Sequence, residues 1–234
     1  MTIQVAPTLA LMAEIYRLPR DGGAKSPRFV AYTSAAARLA PIAGYNPMTS
    51  KDVTSAIDAL MAINAEERLA AVANATAARL QFADAVTMHL IVAAPGLWTD
   101  RLLTEVHHHL VSPDQRGVLL WFDDVVSAET LDAACAAQAT RLVEVARHGV
   151  PATLRAAVRQ EGRALAAAGV EGARDDAAAE VLEVLGDDHS LATMVAFLYG
   201  DETAVALGYA ALGIGAGVGA AHAVARATSP ASHR

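Results

Sequence analysis

Apolar residues recur at helical spacing along most of this chain, and only one stretch alternates in the manner of strands. Val53, Ile57, Leu60 and Met61 share one helical face. They follow a well-marked start, in which Thr49 is placed to cap, Asp52 sits at the third helical position, and Met48 and Val53 are placed as a hydrophobic staple. Asn64 with Glu67 offers a second start, so the segment to Leu80 reads as one bent helix or two. Shorter helices are predicted around Leu9 to Tyr16 and from about Arg28 to Leu39, separated by the loop at Pro19 to Pro27.

The strand-like stretch lies in the middle. Ala85 to Val92 places Val86, Met88, Leu90 and Val92 on one face, and Gly117 to Phe122 is a second short apolar run bounded by turn residues. Between them Thr99 to Val111 is helical in pattern, with Leu103, Val106, His107 and Leu110 on one face. Strand, helix, strand in that order predicts a crossover with two parallel neighbours.

From Ser127 onward every segment reads as helix. Ser127 caps a run that closes on Arg147, His148 and Gly149, with cations near the carbonyl end and then glycine. Pro151 opens a helix to about Ala168, and others span roughly 175–185, 190–199 and 217–226. The expected fold is therefore α+β and predominantly helical, a small sheet over about 85–122 surrounded by roughly nine helices. It is read as one compact domain over 1–234, with the joint at 149–151 as the place for any subdivision.

Composition narrows the function classes. Hydrophobic residues are 54% of the 234 and charged residues 18%, which sets the chain apart from disordered proteins. Alanine dominates the apolar fraction, so the sparse larger residues mark the real contacts. A formal charge of -7, with Lys25 and Lys51 the only lysines, argues against nucleic acid, because phosphate binding needs clustered cations. The lone Cys135 reads as a small buried hydrophobe, and the cysteine usage and the N-terminus lean towards a soluble, cytoplasmic protein. Ala204 to Ala225 carries no Asp, Glu, Lys or Arg, yet its alanine and glycine content favours packing against a core over a membrane anchor.

Candidate chemistry gathers in a few places. Glu105, His108 and His109 lie three and four residues apart on one predicted helix, a spacing that offers a divalent metal its ligands, although the sequence is not His-Glu-x-x-His. The structural alternative pairs Glu105 with Arg101 and buries His107 in the core. At the C-terminal ends of two parallel strands, Trp98, Asp100, Arg101, Asp123 and Asp124 would form a polar ligand pocket with an aromatic wall. The same acids equally serve as helix caps. Asp187, Asp188 and His189 form a third polar loop. Gly215 to Ala220 fits a relaxed dinucleotide fingerprint, but the strand and acid that must follow are missing, so helix packing explains the glycines better. Arg155, Arg159 and Arg163 make a stripe at i, i+4 and i+8 that suits an anion or a solvated face.

Two functional readings follow. In the first, the protein is a helical binding or interaction protein that self-associates as a homo-oligomer. In the second it is a metal-dependent hydrolase or lyase, with Glu105, His108 and His109 on the metal, Asp123 or Asp188 orienting a water, and Arg101 neutralising substrate charge.

Overall fold

The computed structural model describes residues 3–35, 46–94, 100–124 and 127–229. Its contacts gather into two compact units, one formed by 1–104 with 115–135 and the other by 105–114 with 136–234. The division runs through a long helix at Cys135 and Ala136. The fold is predominantly helical α+β, with eleven α-helices and a three-stranded parallel sheet among the described residues.

The first unit holds the sheet. Strands β1 (Gln4–Val5), β2 (Thr87–Ala93) and β3 (Gly117–Trp121) lie in that order, all parallel. β2 is buried on both faces from Leu90 to Ala93, which explains why its alternation fades into a continuous apolar run. β1 is too short to show a period in the sequence. It exists because Gln4 N and Ala6 N donate to the carbonyls of Val86 and Met88, while the Asn74 carboxamide pairs with both backbone groups of Ile3. Helices α1 (Leu9–Arg17), α2 (Pro27–Ala35), α3 (Val53–Ala62) and α4 (Ala65–Arg79) complete this unit; α3 and α4 pack on β2.

Two starts differ from the sequence pattern. Asp52, not Thr49, caps α3, because its carboxylate accepts from Thr54 N and Ser55 N, while the Thr49 hydroxyl is used in a turn by Lys51 N. Asn64 adopts φ 51°, which breaks the run into α3 and α4. Glu66 on α4 then reaches back to accept from Thr8 N and Leu9 N, capping α1 from a distant part of the chain.

The second unit is helical. It contains the rest of α6 (Ala128–His148), then α7 (Leu154–Ala167), α8 (Asp176–Leu185), α9 (Leu191–Tyr199), α10 (Asp201–Ala206) and α11 (Val218–Thr228). The short α5 (Arg101–Val106) bridges the two units along the chain. Ser127 and Thr130 exchange side-chain and backbone bonds at the start of α6, as the sequence implied. α7 opens three residues after Pro151, because the Thr153 hydroxyl accepts from Ala156 N.

Within this unit α11 packs closely along α7 and α9. Gly162 and Gly219 make that possible: an added Cβ would stand 2.2 Å from the Ala223 carbonyl oxygen and 1.8 Å from the Phe197 carbonyl oxygen respectively. The uncharged span after Ala204 is not one helix. Gly208, Gly213 and Gly217 take positive φ and turn the chain, leaving Val205 61% exposed while Ile214 and α11 supply the buried part. No helix among the described residues is long and apolar enough to cross a membrane.

Candidate functional site

Of the residues expected at the strand ends, Arg101, Asp123 and Asp124 meet in an ion-pair cluster. Arg101 follows β2 and the acids follow β3, so the parallel register brings them together. Arg101 lies 2.9 Å from the Asp124 carboxylate and 3.6 Å from Asp123, with its guanidinium 5.3 Å from the Trp121 ring centre. All three charged side chains are about half exposed, so the pairs contribute little to stability. Asp100 is used locally, accepting from Leu103 N to start α5. Trp98 lies outside the described residues.

Glu105, His108 and His109 are not gathered into a ligand set, and no three His, Cys, Asp or Glu side chains are so gathered among the described residues. The reason is local. Residues 107–111 form a π-turn in which Ser112 N donates to His107 O at 2.8 Å. The wider turn changes the angle between positions, so residues three and four apart no longer stack. Of the expected apolar face, Val106 and Leu110 are buried, but His107 and Leu103 are exposed, whereas His108 is buried. His109 Nδ1 is 2.9 Å from the Tyr199 hydroxyl. Asp188 is likewise occupied, accepting from Ser190 N and from the Thr193 hydroxyl at the start of α9. These bonds hold its carboxyl below the usual range. Cys135 is fully buried, and burial pushes its thiol up to about 12, which makes it an unreactive hydrophobe.

Polar chemistry concentrates instead where α6 faces α7. Every residue from Cys135 to Glu144 is buried, including Gln138, Thr140, Arg141 and Glu144. Arg141 donates through two nitrogens to both oxygens of Glu161, each at 2.8 Å, in a pair only 6% exposed on either side. Both oxygens of Glu144 accept from Arg163 Nη1 at 2.9 and 2.8 Å, and His148 Nε2 lies 3.9 Å away. Tyr199 belongs to the same network. Burial first, then the charge of Glu161, raises its hydroxyl far above the ordinary phenol value, so it stays protonated.

His109 is held well below the ordinary imidazole value, first by burial and then by the charges of Arg141 and His108. It is neutral in the native protein, whereas the unfolded chain takes up a proton near the ordinary value of 6.5. Its stabilising effect is therefore complete above that pH and lost as pH falls below it, at up to about 1.4 kcal/mol per pH unit. His109→Gln is expected to flatten the decline of the urea midpoint between about pH 7 and pH 5. An unchanged slope would show that His109 does not contribute to it, leaving His89 and His222, also lowered by burial, as its source.

A half-open cavity of about 220 Å³ lies at the α6–α7 connection, bordered by Glu144, His148, Pro151, Thr153, Arg159 and Gln160. Gln160 is 3% exposed, and its Nε2 has no hydrogen-bond partner among the described residues. Arg159 is exposed and makes no ion pair among the described residues, unlike its neighbours in the arginine stripe. Arg155 turns to Asp187, and Arg163 to Glu144. The first amides of α7 are not available to a ligand. Leu154 N donates to Asp188 O, Arg155 N to Gly186 O and Ala156 N to Thr153 Oγ1. Recognition at this cavity therefore falls to side chains.

The sequence pattern did not single out Gln160, Glu144 and His148. The signal was present: Leu154, Ala157, Val158 and Ala164 mark the apolar stripe of α7, and Gln160 and Glu161 fall within it. No family model, curated protein or solved structure matches this chain.

Proposed function

We propose that the protein is a helical binding protein for a small molecule, which occupies the cavity between the end of α6 and the start of α7. The observation that carries this reading is the Gln160 carboxamide. Gln160 borders the cavity, but its Nε2 is closed off from solvent and unpartnered among the described residues, a state that costs about 1–3 kcal/mol. Side chains chosen for stability alone would replace it by an apolar residue of the same length. In this reading a ligand acceptor meets the donor when the side chain turns into the cavity.

Gln160→Met tests this with no ligand added. Removing the orphan donor while preserving shape is expected to leave the ligand-free protein equally stable or more stable by about 1 kcal/mol in equilibrium denaturation. A loss of about 2 kcal/mol or more would mean that the amide is satisfied within the native protein, and the reading would fall.

A further inference from the structure

Between α7 and α8 the residues 170–175 form no regular element and lie across α11 as a strap. Ala173 N donates to Ala221 O at 3.1 Å, and Asp175 N donates to His222 Nδ1 at 3.3 Å. Arg174 Nη2 donates to the Ser229 hydroxyl at 3.2 Å. Gly172 runs against the backbone of Ala225, where an added Cβ would stand 2.5 Å from the nitrogen. Residues 170–174 are exposed, so little apolar burial holds the strap down and its hydrogen bonds carry the contact.

The bond to His222 has an acceptor that titrates near neutrality. A backbone amide can only donate, so Nδ1 must present its lone pair and the imidazole proton sits on Nε2. A proton on Nδ1 would set two N–H groups against each other, and the bond would be lost. The ring is 4% exposed and its Nε2 has no hydrogen-bond partner among the described residues, so a charged ring is poorly solvated where it stands. Around it, α9 presents the Phe197 ring nearly at right angles, and α7 meets the adjoining Ala223 at Gly162. The charges acting on it are Arg226 of α11 and, from the strap, Asp175 and Arg174. Burial first, then Arg226, hold the imidazole below its ordinary value; Arg174 adds to them, while the Asp175 carboxylate and backbone oppose them without prevailing.

We propose that His222 is an acid-opened clasp, which holds the 170–175 strap and the start of α8 on α11 when neutral and releases them when protonated. The far end of α8 stays tied, because Leu154 N and Arg155 N donate to Asp188 O and Gly186 O, so the release is local. The open form takes up a proton near the ordinary value of 6.5 and the closed form only below it. Opening therefore increases as pH falls through that value, by about tenfold per pH unit, until the closed ring is protonated too. The clasp operates whether or not the α6–α7 cavity holds a ligand.

Hydrogen exchange of the full chain, followed from about pH 7.5 to about pH 5 and corrected for the intrinsic pH dependence of exchange, tests this. Protection of the amides at 173–178 is expected to fall about tenfold per unit below about pH 6.5, while α7 keeps its protection. In His222→Asn the side-chain oxygen replaces Nδ1 as an acceptor that does not titrate, and the fall is expected to disappear. Arg226→Gln removes an exposed opposing charge, so the closed ring is protonated sooner and the total loss of protection by pH 5 is expected to be smaller. Should His222→Asn fail to fold, an unchanged loss in Arg226→Gln overturns the proposal. Strap amides indifferent to pH, an equal loss across α7, α9 and α11, or a fall that persists in His222→Asn would overturn it as well.

Discussion

Replacing Glu161 by alanine is expected to cost about 3–5 kcal/mol, among the largest single losses available in this chain. The carboxylate accepts two bonds of 2.8 Å from Arg141, and both side chains are only 6% exposed. Truncation leaves a buried guanidinium whose remaining hydrogen bond among the described residues is one of 3.4 Å to Gln138 Oε1. Arginine cannot shed its charge to escape, because its pKa lies far above neutrality and is here raised further by Glu161 against the opposing effect of burial. The pair itself need not stabilise the fold relative to an apolar core, since desolvating two ions offsets most of their attraction. The double variant Arg141→Met with Glu161→Leu is therefore expected to be much closer to the native protein than either truncation alone. Guanidinium denaturation of the three proteins measures this. A loss below about 1 kcal/mol for Glu161→Ala would show that Arg141 finds water or another acceptor, and the pair would not be the closed buried contact described here.

Gly219→Ala is the second large effect. The new methyl would start 1.8 Å from the carbonyl oxygen of Phe197 and 2.7 Å from its carbon. Both are backbone atoms within α9, so no rotamer change can relieve the contact; α11 has to move away from α9. Overpacking of this kind costs about 1–3 kcal/mol, and a contact against backbone belongs at or beyond the upper end. Gly213→Ala is the control. Nothing lies within 4 Å of its added Cβ, and the only cost is a positive φ of 83°, about 1–2 kcal/mol. Equal midpoints for the two variants in chemical denaturation would show that α11 does not approach α9 as closely as described.

How these features related to the sequence depended on how far apart their partners lie. The cap at Ser127, the start at Asp175 and the apolar face of α3 rest on contacts within one helical turn, and all were legible. The parallel pairing of β2 and β3 was legible for a related reason, because a helix between two apolar runs leaves few other arrangements. Thr49 and Asp52 show the limit of local reading. Both can cap, and the choice between them is made by a turn at 49–51 whose geometry depends on more than residue type.

The histidine cluster failed for a different reason. Its reading assumed a regular α-helix, whereas the π-turn at 107–111 departs from that spacing after Val106. A single i→i+5 bond, Ser112 N to His107 O, is enough to turn His108 inward and His107 outward, and residue types do not encode it.

By itself the sequence determined the helical class, the middle sheet, most helix ends and the burial of Cys135, because apolar periodicity and capping act over a few residues and need no partner elsewhere. Only the tertiary structure decided that Gln4 and Val5 form a strand, that Arg141 meets Glu161 twenty residues away, and that Arg163 turns to Glu144 while Gln160 Nε2 has no hydrogen-bond partner among the described residues. Those outcomes rest on which distant side chain reaches a given acceptor first, a competition settled by packing geometry and not by the identity of either residue alone.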